Sequence, residues 1–169
     1  MGRSASAYRL LPDGEIRKGL SKIWTHNGTL HGSAGPESFA IAYTIGSGNE
    51  GISFLINSNQ HLFQAPLSWY SRKNHYDLSP GFERDTHLTF DRAIGSDCLF
   101  CHTGKSTPIE GTLNRYENPA IPEIAITCNR CHGSPAAHLR APQRGNILNP
   151  QKLDFARRDS ICEQCHLGG

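Results

Sequence analysis

The chain has 169 residues, a net charge of +2 with its lysines and arginines scattered, 37% hydrophobic residues and a mean hydropathy of −0.48. That length fits one domain; the mild charge offers no basic patch for nucleic acid or an acidic membrane surface, and no run of about eighteen apolar residues supplies a membrane span. A chain this lean in Leu, Ile and Val needs something besides side chains to fill its core, and bound cofactors would do so.

Met1 to Arg9 lacks the apolar stretch of a signal peptide, so the start reads as a mature terminus or as part of a longer chain. Residues 1–72 contain no cysteine and read as β-rich. Tyr8–Leu11 and Ile16–Lys18 flank the turn Pro12-Asp13-Gly14. Phe39, Ile41, Tyr43 and Ile45 then alternate at strand period up to Gly46-Ser47-Gly48. Ile52, Phe54 and Ile56 form a second strand, and the polar turn Asn57-Ser58-Asn59-Gln60 leads to a third over Leu62–Leu67. Pro66, lacking an N–H, marks an edge or the strand's end. From Leu78 onward the composition shifts to Pro, Gly, Asn and short apolar words, which predicts sparse regular structure.

The six cysteines all fall in this second half, in three words of one form: Cys98-Leu99-Phe100-Cys101-His102, Cys128-Asn129-Arg130-Cys131-His132 and Cys162-Glu163-Gln164-Cys165-His166. Cys-x-x-Cys-His is the attachment signature of haem c. Both thiols form thioethers to the porphyrin vinyl groups, and the adjacent histidine gives the iron its proximal nitrogen. Zinc knuckles use Cys-x-x-Cys pairs too, but two knuckles would complete one site and strand the third pair. Neither zinc nor a redox disulfide explains a histidine at the same offset three times. The cysteines therefore predict three covalently attached haem c groups. The fold class expected is α+β with little regular structure: a small antiparallel β region over 1–72, then a haem-packed region of loops and short helices over 73–169, together one compact unit.

Further words of the chain resemble a family of periplasmic multihaem c-type cytochromes, some of which carry tetratricopeptide repeats. They include Tyr43-Thr44-Ile45-Gly46-Ser47-Gly48, Leu62-Phe63-Gln64-Ala65-Pro66-Leu67-Ser68-Trp69-Tyr70, Leu78-Ser79-Pro80-Gly81-Phe82 and Ile147-Leu148-Asn149-Pro150-Gln151-Lys152-Leu153. With the three cysteine words they keep the family's order over roughly residues 38 to 167. The resemblance implies export to the periplasm or cell exterior, haem c and electron transfer. The chain departs from the family at Cys131-His132-Gly133-Ser134-Pro135, where Cys-His-Gly-Pro-Gly is common, and at Asn49 and Glu50, where some relatives have a histidine.

The proximal iron ligands are His102, His132 and His166. The one methionine is Met1, so each iron takes a second histidine or keeps an open site. His138 matches a position that the resemblance makes a distal ligand, and His87 lies where relatives often have histidine. The third distal ligand is expected from His26, His31, His61 or His75, with His61 and His31 favoured, or from a neighbouring subunit. Arg92, Arg130, Arg140, Arg144, Arg157 and Arg158 are candidates for pairing with haem propionates. Trp69, Tyr70 and Tyr76 are candidates to wall a haem or to pack the core.

These residues predict an electron carrier with closely packed, mostly bis-histidine haems and no catalytic residue. Its partners would be redox proteins, other multihaem cytochromes or copies of itself. The alternatives are an oxidoreductase with one open-site haem and a subunit of a haem-stacked polymer.

Overall fold

The structure is a computed structural model that describes residues 15–19, 21–84 and 88–166. Its dominant feature is a seven-stranded antiparallel sheet in strict sequence order. The strands are β1 (Glu15–Lys18), β2 (Ser21–His26), β3 (Thr29–Ala34), β4 (Glu37–Ile45), β5 (Gly51–Ser58), β6 (His61–Tyr70) and β7 (His75–Leu78). The sheet curls into a half-barrel, far enough that β1 touches β7.

This overturns the expected small β region followed by haem-packed loops: the sheet is the body of the fold, and the helices are few and short. Local turn chemistry explains why it is larger than alternation predicts. Asn27 and Gly28 both take positive φ (49° and 73°), the type I′ geometry that matches strand twist and closes a two-residue hairpin. That turn joins β2 to β3, two strands whose apolar residues are too few to announce themselves by period. Asn59 and Gln60 (φ 50° and 70°) close β5 onto β6 in the same way. The predicted strand over Tyr8–Leu11 lies outside the described residues.

Pro66 does not end its strand. It is buried inside β6, which runs on to Tyr70 between β5 and β7. The register with β5 jumps there, from Ser53 opposite Ser68 to Leu55 opposite Gln64. The irregularity absorbs the missing donor, which is how a proline survives inside a sheet.

A second register shift, between Ile41 and Tyr43, changes which face β4 presents. Ile41 packs in one core with Ile23, Leu30, Ile52, Phe54, Ile56 and Leu67. Tyr43 and Ile45 pack instead on the second core, built from Leu55, Leu62, Ile94, Leu99, Tyr116, Ala120 and Ile121. Without the shift, alternation would put all three side chains on one side. Phe90 closes the first core, its ring edge-on to Phe39 with centroids 5.2 Å apart. It lies so close to Gly32 that a Cβ there would sit 2.9 Å from it.

Residues 88–121 are stitched to the sheet. β7 pairs with β6 only from Leu67 to Tyr70, so the first half of β6 needs other partners for its backbone. Leu62 N–H donates to Asn114 O (3.0 Å), Gln64 N–H to Arg92 O (2.9 Å), and Leu62 O accepts from Ile94 N–H (3.0 Å). The buried Tyr116 hydroxyl donates to Ile94 O at 2.8 Å, and burial pushes its pKa up to about 12. Among the described residues no helix is long and apolar enough to cross a membrane.

Candidate functional site

The first cysteine word lies on α1 (Ser96–His102). One side chain anchors this helix: Leu99, fully buried in the second core. Thr103 ends it, with both its N–H (2.9 Å) and its hydroxyl (2.7 Å) donating to Leu99 O. Helical residues advance by roughly 100° each, so Cys98, Cys101 and His102 share one face while Phe100 points the other way.

The other two words fold into the same turn without a comparable anchor. In the second, just before and within α2 (Asn129–His132), Cys128 O accepts from Cys131 N–H (3.2 Å) and His132 N–H (2.9 Å). In the third, α3 (Ala136–Arg140) having intervened, the turn comes at the end of α4 (Phe155–Glu163). There Cys162 O accepts from Cys165 N–H (3.2 Å) and His166 N–H (3.0 Å). All six cysteines are free thiols. No residue from 122 to 166 is buried, and Ile124, Ile126, Leu139, Leu148 and Phe155 are exposed around these two words.

The three turns meet at the residue that precedes each second cysteine: Phe100, Arg130 and Gln164. The Arg130 guanidinium lies 4.3 Å from the Phe100 ring centre and donates from Nη2 to Phe100 O (3.1 Å) and Gly104 O (3.4 Å). Gln164 Nε2 donates to Arg130 O at 3.5 Å. Arg130 Nε is buried without a hydrogen-bond partner. At the same node Cys101 Sγ lies 3.7 Å from Gln164 O, with the Cys165 sulfur beside it. Partial desolvation, then that sulfur, hold the Cys101 thiol above its ordinary range. The second cysteines of the first and third words, Cys101 and Cys165, are therefore adjacent in space although far apart in sequence.

Hydrogen bonds sort the histidines by which ring nitrogen is free. His132 Nδ1 is 2.8 Å from Leu148 O and His61 Nδ1 is 3.0 Å from Asn59 O. A carbonyl only accepts, so each Nδ1 carries the proton and Nε2 keeps its lone pair. His138 Nδ1 meets Asn146 Oδ1 at 2.7 Å. The Asn146 amide is oriented by donating to Ala137 O (3.3 Å) and Ala141 O (2.6 Å). Its oxygen thus accepts from His138, and Nε2 of His138 is again free to ligate. This is the outer-shell pattern of metal-binding histidines.

The other candidates are placed differently. His75 Nδ1 lies 3.3 Å from Lys73 O, and its Nε2 is 3.6 Å from Asp77. His26 and His31 sit on the β2–β3 hairpin. There Nε2 of His26 contacts the Asn27 amide at 3.2 Å, and His31 stacks on Trp24 at 5.6 Å. His102 and His166 are exposed. His87 lies outside the described residues. Among the described residues no three His, Cys, Asp or Glu side chains converge into a metal cage, and no distal candidate is drawn into one with a cysteine word.

The arginines divide as well. Arg92 bonds Pro80 O and lies over Phe82. Arg157 pairs with Asp154 (3.4 Å) and Arg158 with Asp159 (3.8 Å), all exposed. Arg140 and Arg144 are exposed. Tyr76 packs in the first core beside Trp69 and Phe54, and burial raises its pKa. Asn146, Gln164 and the backbone oxygen of Leu148 are site groups that no periodicity or motif announces. Comparison with known proteins finds no matching family model, curated protein or solved structure.

Proposed function

We propose that each Cys-x-x-Cys-His turn carries a covalently attached haem c and that the chain is a trihaem cytochrome that transfers electrons. The observation that carries this reading is threefold repetition. Three words far apart in sequence fold into one hydrogen-bonded turn, each with two free thiols and a histidine, and the three turns join at Arg130.

The residues fit the group in chemistry and in surroundings. The thiol pairs form the thioethers, and His102, His132 and His166 supply the proximal nitrogens. Leu148 O holds the His132 ring so that Nε2 faces outward; Asn146 does the same for His138, the best-placed distal ligand. The exposed apolar side chains around the second and third words would lose contact with water against a large apolar macrocycle, a gain of roughly 25 cal/mol per Å² covered. When bound, each haem accepts and passes on one electron at its iron. Arg130 keeps a cation between the three attachment points, and its buried Nε favours a carboxylate such as a propionate. Maturation by thioether ligation belongs to an exported protein, whose partners would be other redox proteins.

The test is intact-mass measurement after maturation in a bacterial periplasm equipped for cytochrome c assembly. Three haem additions are expected, and replacing both cysteines of any one word by serine should remove one addition. Two or fewer additions to the fully matured chain, or stoichiometric zinc in place of iron, would overturn the proposal.

A further inference from the structure

Between the sheet and α1 lies a cleft of about 520 Å³, within the size range of small-molecule and cofactor sites. Its walls come from both partners. Ile45, Ile52, Trp69 and Tyr70 line it from β4, β5 and β6, and His102 lines it from α1. Close backbone approach requires glycine at two of its lining positions: a Cβ on Gly46 would lie 2.3 Å from Gly51 O, and one on Gly51 would lie 2.6 Å from Trp69 O. Arg72 and Lys73 stand on its rim, Arg72 paired with Glu50 at 2.6 Å.

We propose that this cleft seats the tetrapyrrole tethered at Cys98 and Cys101, which makes the β-sheet one wall of a cofactor site. The inference rests on the haem reading above. Three features favour this occupant. His102, one and four residues beyond the two thiols on α1, is the group that α1 presents to the cleft. The apolar and aromatic walls suit a flat macrocycle that is hydrophobic on both sides. The cation at Lys73 suits a carboxylate edge reaching solvent at the rim. Two larger clefts lie elsewhere, one against Phe100 and Arg130 and one against His132 and Leu148, and neither is lined by His102.

The seat predicts that charge placed on the sheet is felt by one haem of the three. In the matured protein, Lys73→Glu and, from the adjoining β4–β5 turn, Ser47→Glu should each make one of the three one-electron steps harder to reduce. The shift should be threefold or more in its equilibrium constant, roughly 28 mV at 59 mV per tenfold, with the other two unmoved. In a Cys98→Ser/Cys101→Ser background, which should carry two haems by mass, neither variant should move either remaining step. An exposed control, Leu113→Glu, at a position outside every proposed site, should leave the affected step where it is. Three haems by mass with a shift spread over all steps, or one that persists in the serine background, would overturn the seat and leave the haem reading intact. Fewer than three haems in the parent chain would overturn that reading and the seat with it.

Discussion

Replacing His138 with leucine is expected to turn one iron of the three high-spin. Leucine has about the bulk of histidine but no lone pair, so the change removes a ligand while keeping the packing. The ring is prepared for ligation by Asn146: two backbone carbonyls hold that amide, its oxygen accepts a hydrogen bond from Nδ1–H of His138, and Nε2 is left with its lone pair. Asn146→Leu should give a graded version of the same defect, because outer-shell partners of metal-ligating histidines contribute roughly 10–100-fold to affinity. The measurement is the ferric spin state by electron paramagnetic resonance, integrated against total iron. Matured Asn146→Leu protein should remain low-spin, with one iron yielding to cyanide at lower concentration than in the parent. Retention of three low-spin irons by His138→Leu would remove this residue from the coordination.

The second large effect concerns Leu99. It is the one buried side chain of α1, with 0% exposure, and it joins the first cysteine word to the core shared with Leu55, Leu62 and Tyr116. Leu99→Ala should destabilise the fold by about 2–5 kcal/mol, the sum of lost transfer energy and an unfilled cavity. The contrasting substitution is Leu139→Ala, at a position 74% exposed, where about 0.5 kcal/mol or less is expected. Chemical denaturation followed by far-ultraviolet circular dichroism of the sheet compares the two. Equal midpoints for both variants would mean that α1 is not anchored through Leu99. With the haem complement unchanged by mass, a lower midpoint for Leu99→Ala alone reports on packing rather than on maturation.

Parts of the fold are legible along the chain because their causes are local. Alternation of Ile52, Phe54 and Ile56 identifies β5, whose two faces meet different environments. The Asn27-Gly28 turn is also a local cue, and it accounts for two strands that hydrophobic period leaves unmarked. Pro66 misleads because its cost depends on the pairing with the opposite strand: the longer stretch Gln64–Ser68 of β6 lies opposite Ser53–Leu55 of β5, and that irregularity removes the need for its missing N–H. The shift between Ile41 and Tyr43 likewise sends one alternating series into two separate cores. Neither irregularity has a cue in the strand that carries it, since each is a property of a pair of strands.

The sequence by itself determined the three Cys-x-x-Cys-His words, their common form, and the absence of any methionine beyond Met1. Those features depend on residue type and on spacing within five positions, and all three words fold into a helical turn. Only the tertiary structure decided what surrounds them. Phe100, Arg130 and Gln164 meet at one point, Asn146 accepts a hydrogen bond from His138, and the sheet faces His102 across an apolar cleft. These are contacts between residues brought together by the curl of the sheet and the path of the chain after β7. No periodicity carries them, because their free energy depends on distances in space and only incidentally on distance along the chain.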